Sequence, residues 1–289
     1  MEYILPCPSK VNLTLRITGI RKDGMHNIGS LFYRLPSAEK LTLRCKETDN
    51  VSKDIIRVHG QVIAGRNILD NVLESARIFS PQLPAMEIDL WKEIPPGSGL
   101  GSGSGNAAAL ARWLSDEAGV NFSRESISDL GSDVPFLFDG DSLSFRSGKG
   151  TDLIPGFPKP VFRHSVLIMI PGWASPTREA YRIADEVYRD SGWPCTDEAA
   201  IEEGQRVAAA IENGEEIGLL PNDFIRVILK DRPEYSLFFK RAENSGAFAW
   251  GIGGSGSAFF CLFRGKVPAG VATGLFGTTG QAQKILVLE

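Results

Sequence analysis

Pro95-Pro-Gly-Ser-Gly-Leu-Gly-Ser-Gly-Ser-Gly105, running on into Asn106-Ala-Ala-Ala, is the stretch of sequence that most constrains the fold. Glycine at positions 97, 99, 101, 103 and 105 removes the Cβ at every second residue, so successive N–H groups can converge on an anion. The segment Asn106–Leu114 is strongly helical by propensity, and the N-terminal end of such a helix adds positive potential at the same place. Phosphate is the ligand that suits this arrangement. A flexible Gly/Ser linker has a similar composition. A linker, however, does not begin with Pro-Pro, follow a strand and lead directly into an alanine-rich helix.

Two common phosphate loops do not fit. A Walker A loop needs Gly-Lys followed by Ser or Thr, and the pairs at 148–149 and 265–266 are followed by Gly150 and Val267. A Rossmann fingerprint needs a third glycine. In the four possible frames that place is taken by Ser102, Ser104, Asn106 or Ala108.

Working outward from the loop, Met86–Leu90 alternates apolar and polar residues and reads as a strand. Asn67–Ala76 reads as a helix with Asn67 as N-cap, its residues Leu69, Val72, Leu73 and Ala76 sharing one face. Val11–Ile17 alternates as a half-buried strand does, and Arg21–Gly24 supplies a turn. Beyond residue 150, Pro155, Gly156, Pro158 and Pro160 mark a connection. After it come a strand (Ser165–Ile170), a helix from Thr177, further helices to residue 243, and a strand (Ala247–Trp250). A tight turn, a strand (Ser257–Phe263), a helix and a last strand (Lys284–Leu288) complete the chain. Leaving out the extra helices, the order is β-α-β-β-α-β, the split βαβ arrangement of a two-layer α+β sandwich. The expected division is 1–157 and 158–289.

The 289 residues are 43% hydrophobic, 23% charged and 9% aromatic, with net charge −4, a globular composition with ample material for a core. No lysine/arginine run marks a nucleic-acid partner. Cys7, Cys45, Cys195 and Cys261 have no C-x-x-C spacing and His26, His59 and His164 lie far apart, so no zinc site is legible and reduced, mostly buried thiols are expected. The N-terminus lacks the pattern of a secretory signal. No apolar run approaches the roughly 20 residues that span a bilayer, and a cytoplasmic protein without membrane partner is expected.

The pattern Pro-x-Gly-x-Gly-Leu-Gly-x-Gly-Ser at 95–104 resembles the nucleotide loop of the GHMP kinases (galactokinase, homoserine kinase, mevalonate kinase and phosphomevalonate kinase). Within them, Pro8-Ser-Lys-Val-Asn-Leu13, Asp23-Gly-Met-His26, Gly103-Ser-Gly-Asn-Ala107 and Gly131-Ser-Asp-Val-Pro135 are similar to the cytidine-diphosphate-erythritol kinases. So are Pro171–Thr177, Asn222-Asp223 and Gly251-Ile-Gly-Gly-Ser-Gly256, in the family's order along nearly the whole chain. The resemblance implies an α+β, two-domain GHMP kinase fold. Its N-terminal nucleotide domain would be ribosomal-protein-S5-like, and its C-terminal βαββαβ domain ferredoxin-like.

It also implies ATP and Mg2+ as the phosphoryl donor pair and a small alcohol as acceptor, in a step of isoprenoid precursor synthesis. Residues Pro95, Pro96, Gly97, Ser98, Gly99, Leu100, Gly101, Ser102, Gly103, Ser104 and Gly105 would hold the nucleotide, with Ser104 as the protein's magnesium ligand. Asp133 would be the general base and Lys10 its electrostatic partner, although by themselves these are a turn aspartate and a lone lysine. Asn12, His26, Thr177 and Tyr181 match acceptor-binding positions, and the turn 251–256 would approach the phosphates. This chain departs from the family at Met25, where tyrosine is usual. It also departs at Ser9 (alanine), at Gly105 (serine), and at Ser147–Gly150 in place of Gly-x-Gly. A homoserine- or mevalonate-type acceptor and a non-catalytic nucleotide binder are the competing readings.

Overall fold

The computed structural model of the chain describes residues 1–45, 53–158, 164–276 and 282–289. Along the chain it forms β1 (Glu2–Ile20), β2 (His26–Cys45), β3 (Ile55–Gly60), α1 (Ile68–Phe79), β4 (Met86–Lys92) and α2 (Ser102–Ala118). Next come α3 (Arg124–Asp129), α4 (Val134–Asp139), β5 (Leu143–Ser147), β6 (Asp152–Ile154), β7 (Ser165–Pro171), α5 (Thr177–Tyr188) and α6 (Asp197–Glu212). The last elements are β8 (Gly218–Leu219), α7 (Phe224–Asp231), α8 (Tyr235–Ala242), β9 (Ala249–Ile252), β10 (Phe259–Phe263), α9 (Val271–Phe276) and β11 (Ala282–Leu288). Of the proline-marked connection, Pro160 lies outside the described residues.

Packing groups these elements into two compact units. One comprises Met1–Ser9, Pro36–Pro96 and Gly101–Gly140, the other Lys10–Leu35, Gly97–Leu100 and Asp141–Glu289. In the first unit, β4 pairs antiparallel with the second half of β2, from Lys40 opposite Trp91 to Cys45 opposite Met86, and parallel with β3. The α1 helix forms as the sequence predicts. Asn67 Oδ1 accepts from the Leu69 N–H at 3.0 Å, and Leu69, Val72, Leu73 and Ala76 are buried. It packs on α2, which in turn packs on α4. The α2 helix starts earlier than propensity suggests, at Ser102, because Gly101 adopts φ +63° and turns the chain into it. Gly103 and Gly105 therefore belong to the first turn of a helix rather than to the loop.

In the second unit, the first half of β2 pairs with β5, which folds back on β6. A five-stranded sheet has the order β11-β7-β10-β9-β8. Its first four strands, taken in chain order, lie 4-1-3-2 with β10 and β11 antiparallel to β7, which is the split βαβ sandwich with β8 added at one edge. Phe224, Phe238 and Tyr235 from α7 and α8 pack with Phe259 and Met169 of this sheet in one aromatic-rich core. The segment between residues 190 and 218 forms α6. Gly204 of that helix has no room for a Cβ against the Phe145 ring of β5, so α6 lies close over that strand. All four cysteines are free. Cys7 and Cys261 are buried, Cys195 is half-buried and Cys45 is exposed.

The alternating strand at 11–17 is not half-buried. Lys10, Asn12 and Thr14, on its polar side, are as enclosed as Val11, Leu13 and Leu15. Its end is tied down by charge. Asp223 accepts from Arg16 Nη1 at 2.7 Å and from the Ile17 N–H at 2.8 Å, while Arg16 also makes a two-pronged pair with Glu203 of α6 at 2.8 Å. Burial pushes the Asp223 carboxyl above the usual range, against the pull of these donors. Removing one member of such a pair strands the other charge. Asp223→Ala is expected to cost about 3 kcal/mol, near the low end for a broken buried pair because Glu203 remains. Calorimetry should show a thermal midpoint lower by roughly 6–12 °C. A drop of under about 2 °C would mean that Arg16 is fully served by Glu203.

Candidate functional site

In the second unit, two glycine-rich segments meet backbone to backbone. Gly99 (φ +80°) sits so close to the carbonyls of Gly253 and Gly256 that a Cβ would collide with both. The Ala258 N–H donates to Ser98 O at 2.9 Å and the Ser175 N–H to Gly97 O at 3.1 Å. Ser175 Oγ donates to Ser255 O at 3.0 Å, and Ser255 Oγ lies 3.5 Å from Thr177 Oγ1. The turn 251–256 is therefore fixed against residues 97–100. Thr177, read as an acceptor-binding residue, lies at the start of α5 beside this turn.

Lys10 adjoins the same place. It is 5% exposed, its N–H donates to Leu100 O at 2.8 Å, and its Nζ donates to Asn12 Oδ1 at 2.8 Å and stands 5.3 Å from the centre of the Phe32 ring. A Cβ on Gly254 would lie 3.3 Å from Nζ and 3.5 Å from Asn12 Oδ1. Asn12 Nδ2 donates to Ser30 Oγ at 2.7 Å, and Ser30 Oγ to Thr14 O at 2.5 Å. This relay leaves Asn12 as the holder of Lys10, with one amide hydrogen still to give. Asn222, flagged in the sequence only as a motif residue, donates to Gly254 O at 2.9 Å and so anchors the turn.

His26 and Tyr181 are also brought together. Their rings stack at 4.5 Å with 23° between planes, and His26 Nε2 bonds Asp185 Oδ1 at 2.8 Å. Trp193 stands edge-on to His26 at 5.4 Å. Rings in contact leave no gap for a planar base between them. Asp185 and Trp193 were not foreseen: both are remote in sequence from His26 and neither lies in a motif. Met25 is 53% exposed, its N–H donating to Asp23 Oδ1 at 3.0 Å.

The first unit carries Pro95, Pro96, residues 101–105, Ser104 among them, and Asp133. Asp133 is half-buried at the N-terminal boundary of α4, and its side chain makes no capping bond to that helix. The turn it belongs to borders the first turn of α2: a Cβ on Gly131 would lie 3.6 Å from Ser104 Oγ. Gly105 has no space for a side chain because a Cβ would run into the Pro8 carbonyl. Lys92, Glu39 and Asn106 form a buried polar cluster under this helix end. It was not foreseen, although a charged residue continuing the buried row Met86, Ile88, Leu90 was its signal. Among the described residues no three His, Cys, Asp or Glu side chains are grouped to hold a metal, and no helix is long and apolar enough to cross a membrane.

Residues 66–141 match the GHMP kinases N terminal domain. A 4-diphosphocytidyl-2-C-methyl-D-erythritol kinase of Solibacter usitatus is 31% identical over 89% of this chain and 80% of its own length. One from Salinispora arenicola is 30% identical over 89% and 81%. The crystal structure of a 4-(cytidine 5'-diphospho)-2C-methyl-D-erythritol kinase superposes over 100% of both chains with a TM-score of 0.76 at 25% identity. The two sheets, the glycine segments locked together and this similarity along most of the sequence agree: the chain belongs to the 4-diphosphocytidyl-2-C-methyl-D-erythritol kinase family of GHMP kinases.

Proposed function

We propose that the chain is an ATP-dependent phosphotransferase acting on the 2-hydroxyl of 4-diphosphocytidyl-2-C-methyl-D-erythritol, in non-mevalonate isoprenoid precursor biosynthesis. The observation that carries this reading is the buried Lys10, bonded through its backbone to one glycine segment and facing the Gly254 turn of the other. A fixed ammonium between two segments stripped of Cβ atoms suits a phosphate undergoing transfer.

The acceptor oxygen forms a bond to the γ-phosphorus while the bond to the ADP oxygen breaks, and the hydroxyl proton goes to Asp133. Lys10 stabilises the negative charge that grows on the attacking oxygen. Residues 95–105 cradle the nucleotide phosphates, the N–H donors coming from 97–104 after the two prolines, and Gly101 starts α2 without a capping side chain to compete for them. Ser104 is the protein's candidate for Mg2+. Its hydroxyl is a hard oxygen donor, half-buried beside the Gly131 turn, which fits an ion that keeps most of its other ligands as water and phosphate. When bound, Mg2+ neutralises charge on the phosphates. His26, Tyr181 and Thr177 serve the acceptor, His26 and Tyr181 presenting flat surface and polar atoms to its base, and Asn12 keeps Lys10 in place.

An ADP-release assay with Mg-ATP and four acceptors tests the reading: the cytidine-linked erythritol, homoserine, mevalonate and a simple sugar. Selective turnover of the first is expected. Turnover of another alone would assign the chain a different acceptor, and ATP binding without any turnover would make it a non-catalytic binder. Asp133→Ala is expected to lower kcat by about 10²–10⁴-fold, the usual contribution of a general base, with the ATP dissociation constant within about twofold of wild type. Unchanged kcat would remove Asp133 from proton transfer. Gly99→Ala should weaken Mg-ATP binding at least about tenfold, because its Cβ forces the two glycine segments apart and its left-handed backbone disfavours alanine. Wild-type affinity in that variant would show that the contact does not shape the nucleotide site.

A further inference from the structure

The two ends of the loop 95–101 rest on one buried ion pair. Lys92 is 3% exposed and Glu39 4%, and Lys92 Nζ donates to both Glu39 oxygens at 2.9 and 2.8 Å. At the entry to the loop, the N–H groups of Glu93 and Ile94 donate to Glu39 Oε1 at 3.1 and 2.7 Å. At its exit, in the first turns of α2, Ser102 Oγ accepts from Lys92 Nζ at 2.9 Å. Asn106 bridges both charges, donating to Glu39 Oε2 at 2.8 Å and accepting from Lys92 at 3.2 Å. Every one of these groups lies within the first compact unit.

Desolvating two charges is expensive, and an apolar pair of the same volume is commonly as stable or more so. This pair does what an apolar one cannot: it gives fixed, directional acceptors and donors to backbone and side-chain groups flanking the loop. Burial lowers the pKa of Lys92, with Glu39 acting the other way. The neighbouring Cys7 thiol is pushed up to about 12, chiefly by burial, and so stays neutral.

We propose that Lys92, Glu39 and Asn106 are positioning residues for ATP, holding the entry and exit of the phosphate loop in binding geometry before the nucleotide arrives. The inference rests on the kinase reading above. A loop whose ends are already fixed loses less conformational freedom when it closes on a ligand, so the cluster contributes to nucleotide affinity and not to acceptor affinity.

Mg-ATP titration calorimetry, acceptor kinetics and thermal unfolding of three variants test it. Asn106→Ala cuts the bridge and leaves the ion pair. The double variant Glu39→Gln/Lys92→Met removes both charges together. Leu73→Ala, in the buried face of α1, is a control that destabilises the same unit away from the loop. The first two are expected to bind Mg-ATP at least tenfold more weakly, about 1.4 kcal/mol, with the acceptor KM within twofold. Leu73→Ala should lower the thermal midpoint yet keep ATP affinity within twofold. Unchanged ATP affinity in either folded loop variant, or an equal loss in Leu73→Ala, would overturn the proposal. Amide exchange in the wild-type protein gives a reading that needs no variant. The Glu93 and Ile94 amides should be protected like core strands without nucleotide, and protection that appears only with ATP would also overturn it. Wild-type protein that binds no ATP would sink the kinase reading itself; wild-type binding with unaffected variants would sink only the positioning role.

Discussion

The structure of the second unit depends on one steric constraint: Gly99 must lie against the carbonyls of Gly253 and Gly256, where no Cβ fits. That contact lets Ser98 bond to Ala258 and brings Leu100 to the Lys10 amide, so the strand carrying Lys10 is in register with both glycine segments. Lys10 therefore needs no dedicated binding loop of its own. It is aimed by a backbone hydrogen bond and held by Asn12, and its Nζ stands 5.3 Å from the centre of the Phe32 ring.

The chain uses buried charge in a consistent way. Lys10 and Arg16 are on one polar face of β1, and Lys92 ends the buried row of β4. Each is a long cation placed on a strand where its neighbours are covered; Lys92 and Arg16 bond carboxylates far away in sequence, Glu39 and Asp223, while Lys10 bonds Asn12 on its own strand. Such placements lose hydration, which is recovered only when donor and acceptor geometry is nearly complete. They fix the position of backbone atoms in a way that interchangeable apolar packing does not. The three cations accordingly mark where the chain must be held: beside the glycine turn, at the phosphate loop, and where α6 and the Asn222-Asp223 corner meet β1.

What was legible in the sequence was local. Asn67 and four apolar residues at helical spacing were enough to place α1, because capping and burial there depend on neighbours within one or two turns. The β-α-β-β-α-β order of the second half was readable for the same reason, and the observed 4-1-3-2 strand order follows it. What was not legible was non-local. Alternation in Val11–Ile17 says that two faces differ, but not that the polar one is covered as well. The early start of α2 was hidden because Gly103 and Gly105 have poor helix propensity, and only packing against Pro8 shows why position 105 is glycine. Asp185, Trp193 and Glu39 lie in no motif, so nothing local could pair them with His26 or Lys92.

Two departures from the family pattern turn out to be neighbours. Met25 lies in the turn after β1, its amide bonded to Asp23, and Lys149 of the altered 147–150 segment reaches the other oxygen of Asp23 at 3.1 Å. The Gly148 carbonyl meanwhile accepts from the Ile28 N–H at 2.8 Å, tying the two segments together through the backbone. Asp23 is thus shared between Met25 and Lys149, and its carboxyl is held below the usual range, first by the Met25 amide and then by Lys149. The ion pair is exposed and contributes little to stability. What the shared aspartate does is set the direction of the turn, which carries Met25 outward while His26, the next residue, turns in to stack on Tyr181. With methionine facing solvent, the aromatic contacts of His26 are Tyr181 on α5 and Trp193 on the segment leading into α6.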